Sequence, residues 1–466
     1  MSSGRRAVVV GGGVAGLTAA RDLAAGGHRV TLLEASTEIG GKLRRREVAG
    51  VRVDVGAEAM LNRRPEGVEL ARALGLDVVH PAIASSRIWT RGELRRLPRS
   101  LMGVPLDLDE LAASGVLSDP GLERVRREAL LPPERLEGDI SVGELVDRRF
   151  GPEVTDRLVE PLLGGVYAGN AREISARAAM PQLVAFAERG SLLEQAAVIP
   201  TTYDLPVFAG LPGGMGGLTD AVADSADFEI RTGVTVRGLV RAGRPGDERF
   251  QLTLGPTTHP ELLDADLVVL ATPAAPTARL LGELAPVAAM ELAGIESASM
   301  AVVTFAIRAV DAPGLVAIGS SGFLVPPVDG HRIKASTFSF AKWGWVREAG
   351  RAAPGGEDLL FLRTSLGRHR EEATLQVADE ELVAISLADL GEATGLSAVP
   401  VDAHVQRWGG GLPQYAVGHL DRVARIRDAV ALVPGLAVCG AAYDGVGIPA
   451  CVASAHRAVD QLLGSA

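Results

Sequence analysis

Near its N-terminus the chain passes from an apolar strand, Ala7 to Val10, through Gly11-Gly12-Gly13-Val14-Ala15-Gly16 and into a helical apolar repeat over Val14 to Ala25 that Gly26-Gly27 closes. This G-x-G-x-x-G spacing constrains the fold more than any other feature. Gly11 permits the sharp strand-to-helix turn, Gly13 lets backbone approach a pyrophosphate, and Gly16 lets the helix pack closely on the sheet. Phosphates bound there face free N–H groups at the positive end of the helix dipole. A second strand, Arg29 to Glu34, ends on a carboxylate that can accept hydrogen bonds from both hydroxyls of an adenosine ribose and would repel a 2′-phosphate. A β-α-β unit of this kind implies a parallel sheet with a right-handed crossover.

The rest of the chain narrows the dinucleotide. After Glu34 come Ala35-Ser36-Thr37-Glu38-Ile39 and then Gly40-Gly41-Lys42, a second glycine pair followed by a cation. That pattern suits a second contact with a long charged dinucleotide and equally suits a surface turn. Asp54-Val55-Gly56-Ala57-Glu58 is a further glycine turn able to pass near a ring system. No second G-x-G-x-x-G occurs, although a nicotinamide-driven flavin reductase would need one. The expected cofactor is therefore FAD, in a flavoprotein that takes electrons from its substrate and passes them to oxygen or another acceptor.

Composition excludes several other classes. The chain has 466 residues, 47% of them hydrophobic, enough for two or three packed units. A net charge of -10 argues against nucleic acid as a partner, because phosphate binding needs clustered positive charge. Cys439 and Cys451 form no CxxC pair and read as reduced thiols in a cytoplasmic protein. The short polar stretch Met1 to Arg6 has no signal-peptide character, and no apolar run is long enough to span a bilayer. The eight histidines show no HxH or HExxH spacing, so no metal is expected, and no G-x-S-x-G elbow occurs.

The expected fold class is α/β: a Rossmann-type FAD-binding domain of the glutathione reductase kind, a substrate domain with a mixed antiparallel sheet, and a mainly helical insert. The FAD domain is assigned to residues 1-80, 208-290 and 409-466, the insert to 98-205, and the substrate domain to 81-97 and 291-408. In the insert, helices are expected over Leu106 to Ala113, Leu122 to Leu131, Val142 to Phe150 and Glu153 to Leu163, with Ser141 and Asp139 as caps for the third. Later strands are expected over Phe228 to Val236, Phe250 to Leu254, Ala265 to Ala271, Met300 to Ile307, Ile333 to Phe338, Leu359 to Arg363 and Leu436 to Cys439. A final helix is expected from Ile448 to Leu463.

Several segments in order resemble one family. The Gly11 to Gly16 loop, Glu34-Ala35-Ser36 and Gly40-Gly41-Lys42 together resemble the FAD amine oxidase superfamily. Glu160-Pro161-Leu162-Leu163-Gly164-Gly165-Val166-Tyr167-Ala168-Gly169, Leu211-Pro212-Gly213-Gly214-Met215, Leu412-Pro413-Gln414-Tyr415-Ala416-Val417-Gly418-His419 and Gly440-Ala441-Ala442-Tyr443-Asp444-Gly445-Val446-Gly447-Ile448-Pro449 resemble segments of its protoporphyrinogen and coproporphyrinogen III oxidases. The chain departs from the family pattern at Asn170 and Ala450, where Asp is common, and after Lys342-Trp343, where Arg-Pro is expected. The resemblance implies FAD contacts from Gly11, Gly12, Gly13, Val14, Ala15, Gly16, Glu34, Ala35, Gly41 and Lys42. It places Val234 at the adenine through backbone hydrogen bonds, Gly56, Ala57, Glu58 and Ala59 beside the isoalloxazine, and Trp408 near it. Gly440, Val446, Gly447 and Ile448 then lead into a terminal helix whose positive end stabilises charge on reduced flavin.

The activity so implied is FAD-dependent oxidation of coproporphyrinogen III to coproporphyrin III in haem biosynthesis, in three two-electron rounds with oxygen as acceptor. Hydride leaves a methylene carbon for flavin N5, and no strong base is required, since the pyrrole N–H becomes acidic once the ring is oxidised; the protein orients and excludes water. No catalytic acid or base is assigned, His419 included. Protoporphyrinogen IX is the alternative substrate; another amine oxidase or desaturase, or a non-catalytic FAD-binding protein, are the others. For the substrate carboxylates, the cluster Arg87, Arg91, Arg95, Arg96 and Arg99 offers guanidinium forks, with Arg91, Arg95 and Arg96 singled out beside Gly169 and Asn170; a solvated hairpin is the competing reading. Leu101, Met102, Val104 and Leu106 near several arginines leave peripheral membrane contact open, and other haem-pathway enzymes are partners of the same standing.

Overall fold

The computed structural model describes residues 4–196, 199, 206–243 and 249–464. The end of the segment assigned to the helical insert lies partly outside them. Four parallel pairings build a five-stranded sheet in the order Glu229–Arg231, Arg29–Leu33, Arg6–Val10, Leu267–Leu270, Leu436–Val438. Distant stretches of sequence thus lie side by side, Val8 between Thr31 and Val268. The strands are nearly all apolar because helices cover both faces. One face packs on helices Val14–Ala25 and Ile448–Leu463 and the other on helices Ala274–Leu281 and His419–Ala431, giving two cores that share the central strands.

A seven-stranded sheet forms a second layer. Its order is Asp402–Pro413, Ser297–Arg308, Leu359–Leu366, Ile333–Thr337, Gly322–Leu324, Arg87–Thr90, Glu93–Arg96. All pairs are antiparallel except Gly322–Leu324 with Arg87–Thr90, which run parallel. Residues 100–195 are mainly short helices around their own core of Val142, Leu145, Phe150, Leu163 and Tyr167. Inside it, the fully buried Arg149 guanidinium donates to Glu128 at 2.9 Å, and Glu128 also accepts the Ser191 hydroxyl at 2.7 Å and the Leu192 N–H at 2.8 Å. Both charges are satisfied, which a buried ion pair requires.

Helices Val14–Ala25, Val142–Phe150 and Ile448–Leu463 have the expected limits. Other elements differ. Phe228 to Val236 is two strands: Glu229–Arg231 joins the parallel sheet, and Val236–Ala242 enters a three-stranded antiparallel sheet with Arg249–Leu254 and Glu261–Ala265. Gly233, at φ +70°, makes the break. The helix expected from Glu153 starts at Pro152 and runs to Tyr167 through a wide turn over Thr155–Val159. Pro161 just beyond lacks the N–H that a regular helix needs, and a widened turn accommodates that loss. Ser141 caps Val142–Phe150 by accepting the Glu144 N–H at 3.1 Å, whereas Asp139 does not cap it. Asp139 accepts the Gly418 N–H at 2.7 Å and so ties the insert to the loop before helix His419–Ala431.

Candidate active site

The groove begins at the first glycine loop. Gly11 has φ +112°, and a Cβ on it would lie 2.9 Å from the Ala271 carbonyl. A Cβ on Gly16 would sit 1.8 Å from the Gly11 carbonyl, so the helix meets the turn with no room for a side chain. Gly13 is the opposite case: a Cβ there would meet nothing within 4 Å. Open space beside bare backbone at the start of helix Val14–Ala25 fits a pyrophosphate. Val14 and Ala15 are buried behind the loop. The Glu34 carboxylate accepts the Gly12 N–H and the Ser36 N–H, each at 2.7 Å, while Ala35 is exposed beside it.

The second glycine pair belongs to the same structure. The Gly40 N–H donates to the Gly12 carbonyl at 2.7 Å, and a Cβ on Gly41 would come within 3.2 Å of the Gly13 Cα. Gly40 and Gly41 both have positive φ, which explains the pair. At the adenosine end the Val234 N–H is already donated to the Glu34 carbonyl at 2.9 Å. The backbone hydrogen bonding to adenine expected of Val234 is therefore left to its carbonyl.

From Gly41 the chain turns toward the large sheet. Lys42 follows, its ammonium held below the ordinary range by burial. The Lys42 carbonyl accepts the Ala57 N–H at 2.9 Å, and a Cβ on Gly56 would strike that carbonyl at 2.0 Å and the Trp408 ring at 3.2 Å. Gly56, Ala57, Lys42 and Trp408 thus share one corner, with the Arg44 guanidinium 5.7 Å from the Trp408 ring centre. Gly440 brings the last strand to the first loop: a Cβ there would lie 4.0 Å from the Ala15 Cβ. Gly445, at φ +141°, turns the chain through Val446 and exposed Gly447, which starts helix Ile448–Leu463 with Ile448 buried.

Glu58 does something the sequence did not disclose. It is buried and joined by Lys342 at 2.8 Å, Arg363 at 3.2 Å and the Ser339 hydroxyl at 2.9 Å. Burial alone would raise its carboxyl, but Arg363 and then Lys342 carry it down to about 2. Arg363 also donates to the Gly56 carbonyl at 2.5 Å. The Gly56–Ala59 loop is therefore fixed from the large sheet, with Ala59 packed on the core of that layer. Glu58 is a clamp on the loop rather than one of its exposed groups. Asp54 accepts the Met215 N–H at 2.9 Å, and burial pushes its carboxyl up to about 6.

The substrate-side residues do not gather in one place. Gly169 is buried where a Cβ would hit Gln414 Oε1 at 2.2 Å, so it lets the insert close on the Pro413 to His419 loop. Asn170 is exposed, and its side chain accepts the Arg172 N–H at 2.8 Å. Gln414 donates to the Tyr167 carbonyl at 2.7 Å and Tyr415 to the Ala441 carbonyl at 2.6 Å. His419 stacks on Tyr415 at 3.9 Å, and burial pushes its imidazole down to about 4, so it carries no charge at neutral pH. Arg91 meets Glu153 at 3.6 Å, Arg95 meets Glu93 at 3.1 Å, and Arg96 is exposed on the edge strand. The outer strand of that hairpin, Glu93–Arg96, is six strand steps from Trp408's strand, roughly 29 Å along the sheet.

Arg363, Lys334 and Arg368 were not singled out from sequence, and Gln414 entered only as part of the Pro413 to His419 segment. One signal existed: Lys334 and Lys342 are two of only three lysines in an arginine-rich chain.

A groove with these glycines, this carboxylate and a helix start at its far end defines a dinucleotide-binding flavoprotein. Residues 14–463 match the family model for flavin containing amine oxidoreductases, and the chain belongs to that family. It is an FAD-dependent oxidoreductase. The coproporphyrinogen III oxidase of Mycobacterium tuberculosis H37Rv is 38% identical over 469 residues, covering 98% of this chain and 96% of that one. The protoporphyrinogen oxidase of Bos taurus is 27% identical over 497 residues, covering 99% of each. A crystal structure from Exiguobacterium sp. 255-15, provisionally named a protoporphyrinogen oxidase, superposes with a TM-score of 0.85 at 32% identity and full coverage of both chains.

Proposed function

We propose that this enzyme oxidises coproporphyrinogen III to coproporphyrin III in haem biosynthesis, in three two-electron rounds with oxygen as the final acceptor. The observation that carries the reading is whole-chain similarity to a coproporphyrinogen III oxidase at 38% identity, against 27% to a protoporphyrinogen oxidase. Bound FAD supplies the two-electron acceptor. The first glycine loop, Glu34 and the Gly40-Gly41 turn hold the dinucleotide. The Glu58 clamp sets the Gly56–Ala59 backbone, and the start of helix Ile448–Leu463 offers free N–H groups to developing negative charge. Leu324 and Val446, which both pack on the insert core, supply an apolar boundary that keeps water from the reacting carbon. No side chain is assigned as base, in keeping with chemistry that needs orientation more than proton abstraction.

Protoporphyrinogen IX is the second reading, favoured by the Exiguobacterium structure's name. Anaerobic mixing separates the two. Coproporphyrinogen III is expected to bleach the flavin absorbance faster than protoporphyrinogen IX at equal concentration, with porphyrin fluorescence appearing in air. Faster bleaching by protoporphyrinogen IX would reverse the assignment, and bleaching by amines alone would discard both.

A further inference from the structure

A small cleft lies between the insert helix that carries Glu160 and Gly164 and the strand ends that carry Val325. Lys334 and Arg368 face into it. Lys334 is 3% exposed, and among the described residues no carboxylate stands within ion-pair distance of it. Arg368, its side chain 12% exposed, meets Glu371 at 3.9 Å and makes 3.5 Å contacts with the carbonyls of Val325 and Ile333. Among the described residues the carboxylate in the cleft wall is Glu160, which already accepts the Ala171 N–H at 2.7 Å, and burial pushes it up to about 7, so it is a weak counter-charge. Burial, with repulsion from Arg368, draws the Lys334 ammonium down to about 7. Two basic groups in a low-dielectric site with so little compensation are costly to keep charged, and an anion entering between them would restore the Lys334 charge that burial weakens.

The cleft is narrow, with room for about one water-sized group, which suits the end of a carboxylate and nothing bulkier. A Cβ on Gly164 would meet no atom within 4 Å, so the helix presents bare backbone to the cleft. Leu324, beside Val325, and Val446, just before the terminal helix, both pack against the insert core. We propose that this cleft binds one carboxylate arm of the tetrapyrrole substrate, with the Lys334 ammonium and the Arg368 guanidinium as its cationic partners. The assignment rests on the porphyrinogen reading above. It locates a carboxylate contact at Lys334 on the inner strand Ile333–Thr337 rather than on the Arg91 to Arg96 hairpin at the sheet's edge.

The test uses the flavin-loaded enzyme. Lys334→Met keeps the length of the side chain and removes its charge. Its KM for coproporphyrinogen III is expected to rise about 30-fold or more with kcat within about threefold of wild type, while flavin content is unchanged and the melting temperature is equal or higher. Fluorescence titration with coproporphyrin III and with its tetramethyl ester provides the second readout: wild type is expected to favour the free acid, and Lys334→Met to lose that preference. An unchanged KM and an unchanged preference would overturn the cleft assignment. If Lys334→Met fails to hold flavin, Gly164→Val decides, since filling the cleft should raise KM and an unmoved KM would overturn the proposal. Wild type that turns over no porphyrinogen would bring down the parent reading; wild-type turnover with an indifferent Lys334→Met removes the cleft alone.

Discussion

The Glu34 carboxylate and the Gly12 backbone N–H are joined at 2.7 Å across 22 positions of sequence. The other carboxylate oxygen takes the Ser36 N–H, also at 2.7 Å. The carboxylate is thereby held at the mouth of the glycine loop before any ribose arrives, with lone pairs left for its hydroxyls. Glu34→Gln keeps the shape but replaces one accepting oxygen with a donor that faces an N–H. FAD affinity, measured by quenching of flavin fluorescence on binding to the flavin-stripped protein, is expected to fall about 10- to 100-fold, the range for a hydrogen bond to a charged group.

The glycines of the loop separate by what a side chain would meet. Gly13→Val places its methyl groups in open space. The expected product is a folded protein with normal far-ultraviolet circular dichroism and almost no bound flavin. Gly16→Val drives a side chain into the Gly11 carbonyl at the helix–turn contact. It is expected to cost about 3 kcal/mol or more of stability. Equal flavin loss and equal destabilisation in the two variants would contradict this division.

Glu58 and Asp54 give acid stability a shape. Glu58 is depressed from 4.5 to about 2, so its contribution is fully present above pH 4.5 and disappears as pH falls toward 2. Asp54 is raised from 3.8 to about 6, so the folded state binds the extra proton and stability declines as pH rises from 3.8 through 6. Asp54→Asn is expected to flatten the pH 4 to 6 limb and to gain on the order of 2 kcal/mol at pH 7. Glu58→Gln leaves Lys342 and Arg363 facing each other uncompensated, with an expected loss of about 3 kcal/mol. Thermal melts across pH check both, and a Glu58→Gln melt matching wild type at pH 7 would remove the clamp from the account.

Arg91 and Arg95 spend their charge on Glu153 and Glu93 at the edge of the large sheet. Replacing Arg95 and Arg96 together with alanine is expected to leave KM for coproporphyrinogen III within about twofold of wild type, in line with the small contribution of exposed pairs. A tenfold rise would return the hairpin to the substrate site.

The sequence alone determined the nucleotide end of this protein. Glycine spacing, strand polarity and the position of Glu34 are local properties: Gly16 is required by its contact with Gly11 in the same loop, even though Gly11 also meets the distant Ala271 carbonyl. The starts and ends of helices Val14–Ala25 and Ile448–Leu463 were legible for the same reason, being set by flanking glycines and apolar period. The Phe228 to Val236 stretch read as one strand because strand propensity does not see Gly233 turning the chain between two sheets.

Only the tertiary structure decided which charges meet. Glu58 finds Lys342 and Arg363 from 284 and 305 positions away. Asp139 looked like a cap and is a tie to Gly418. Lys334 and Arg368 converge on a cleft that neither segment marks by itself. Burial and long-range pairing fix the energy of a charge, and both arise from packing between elements that no local pattern records.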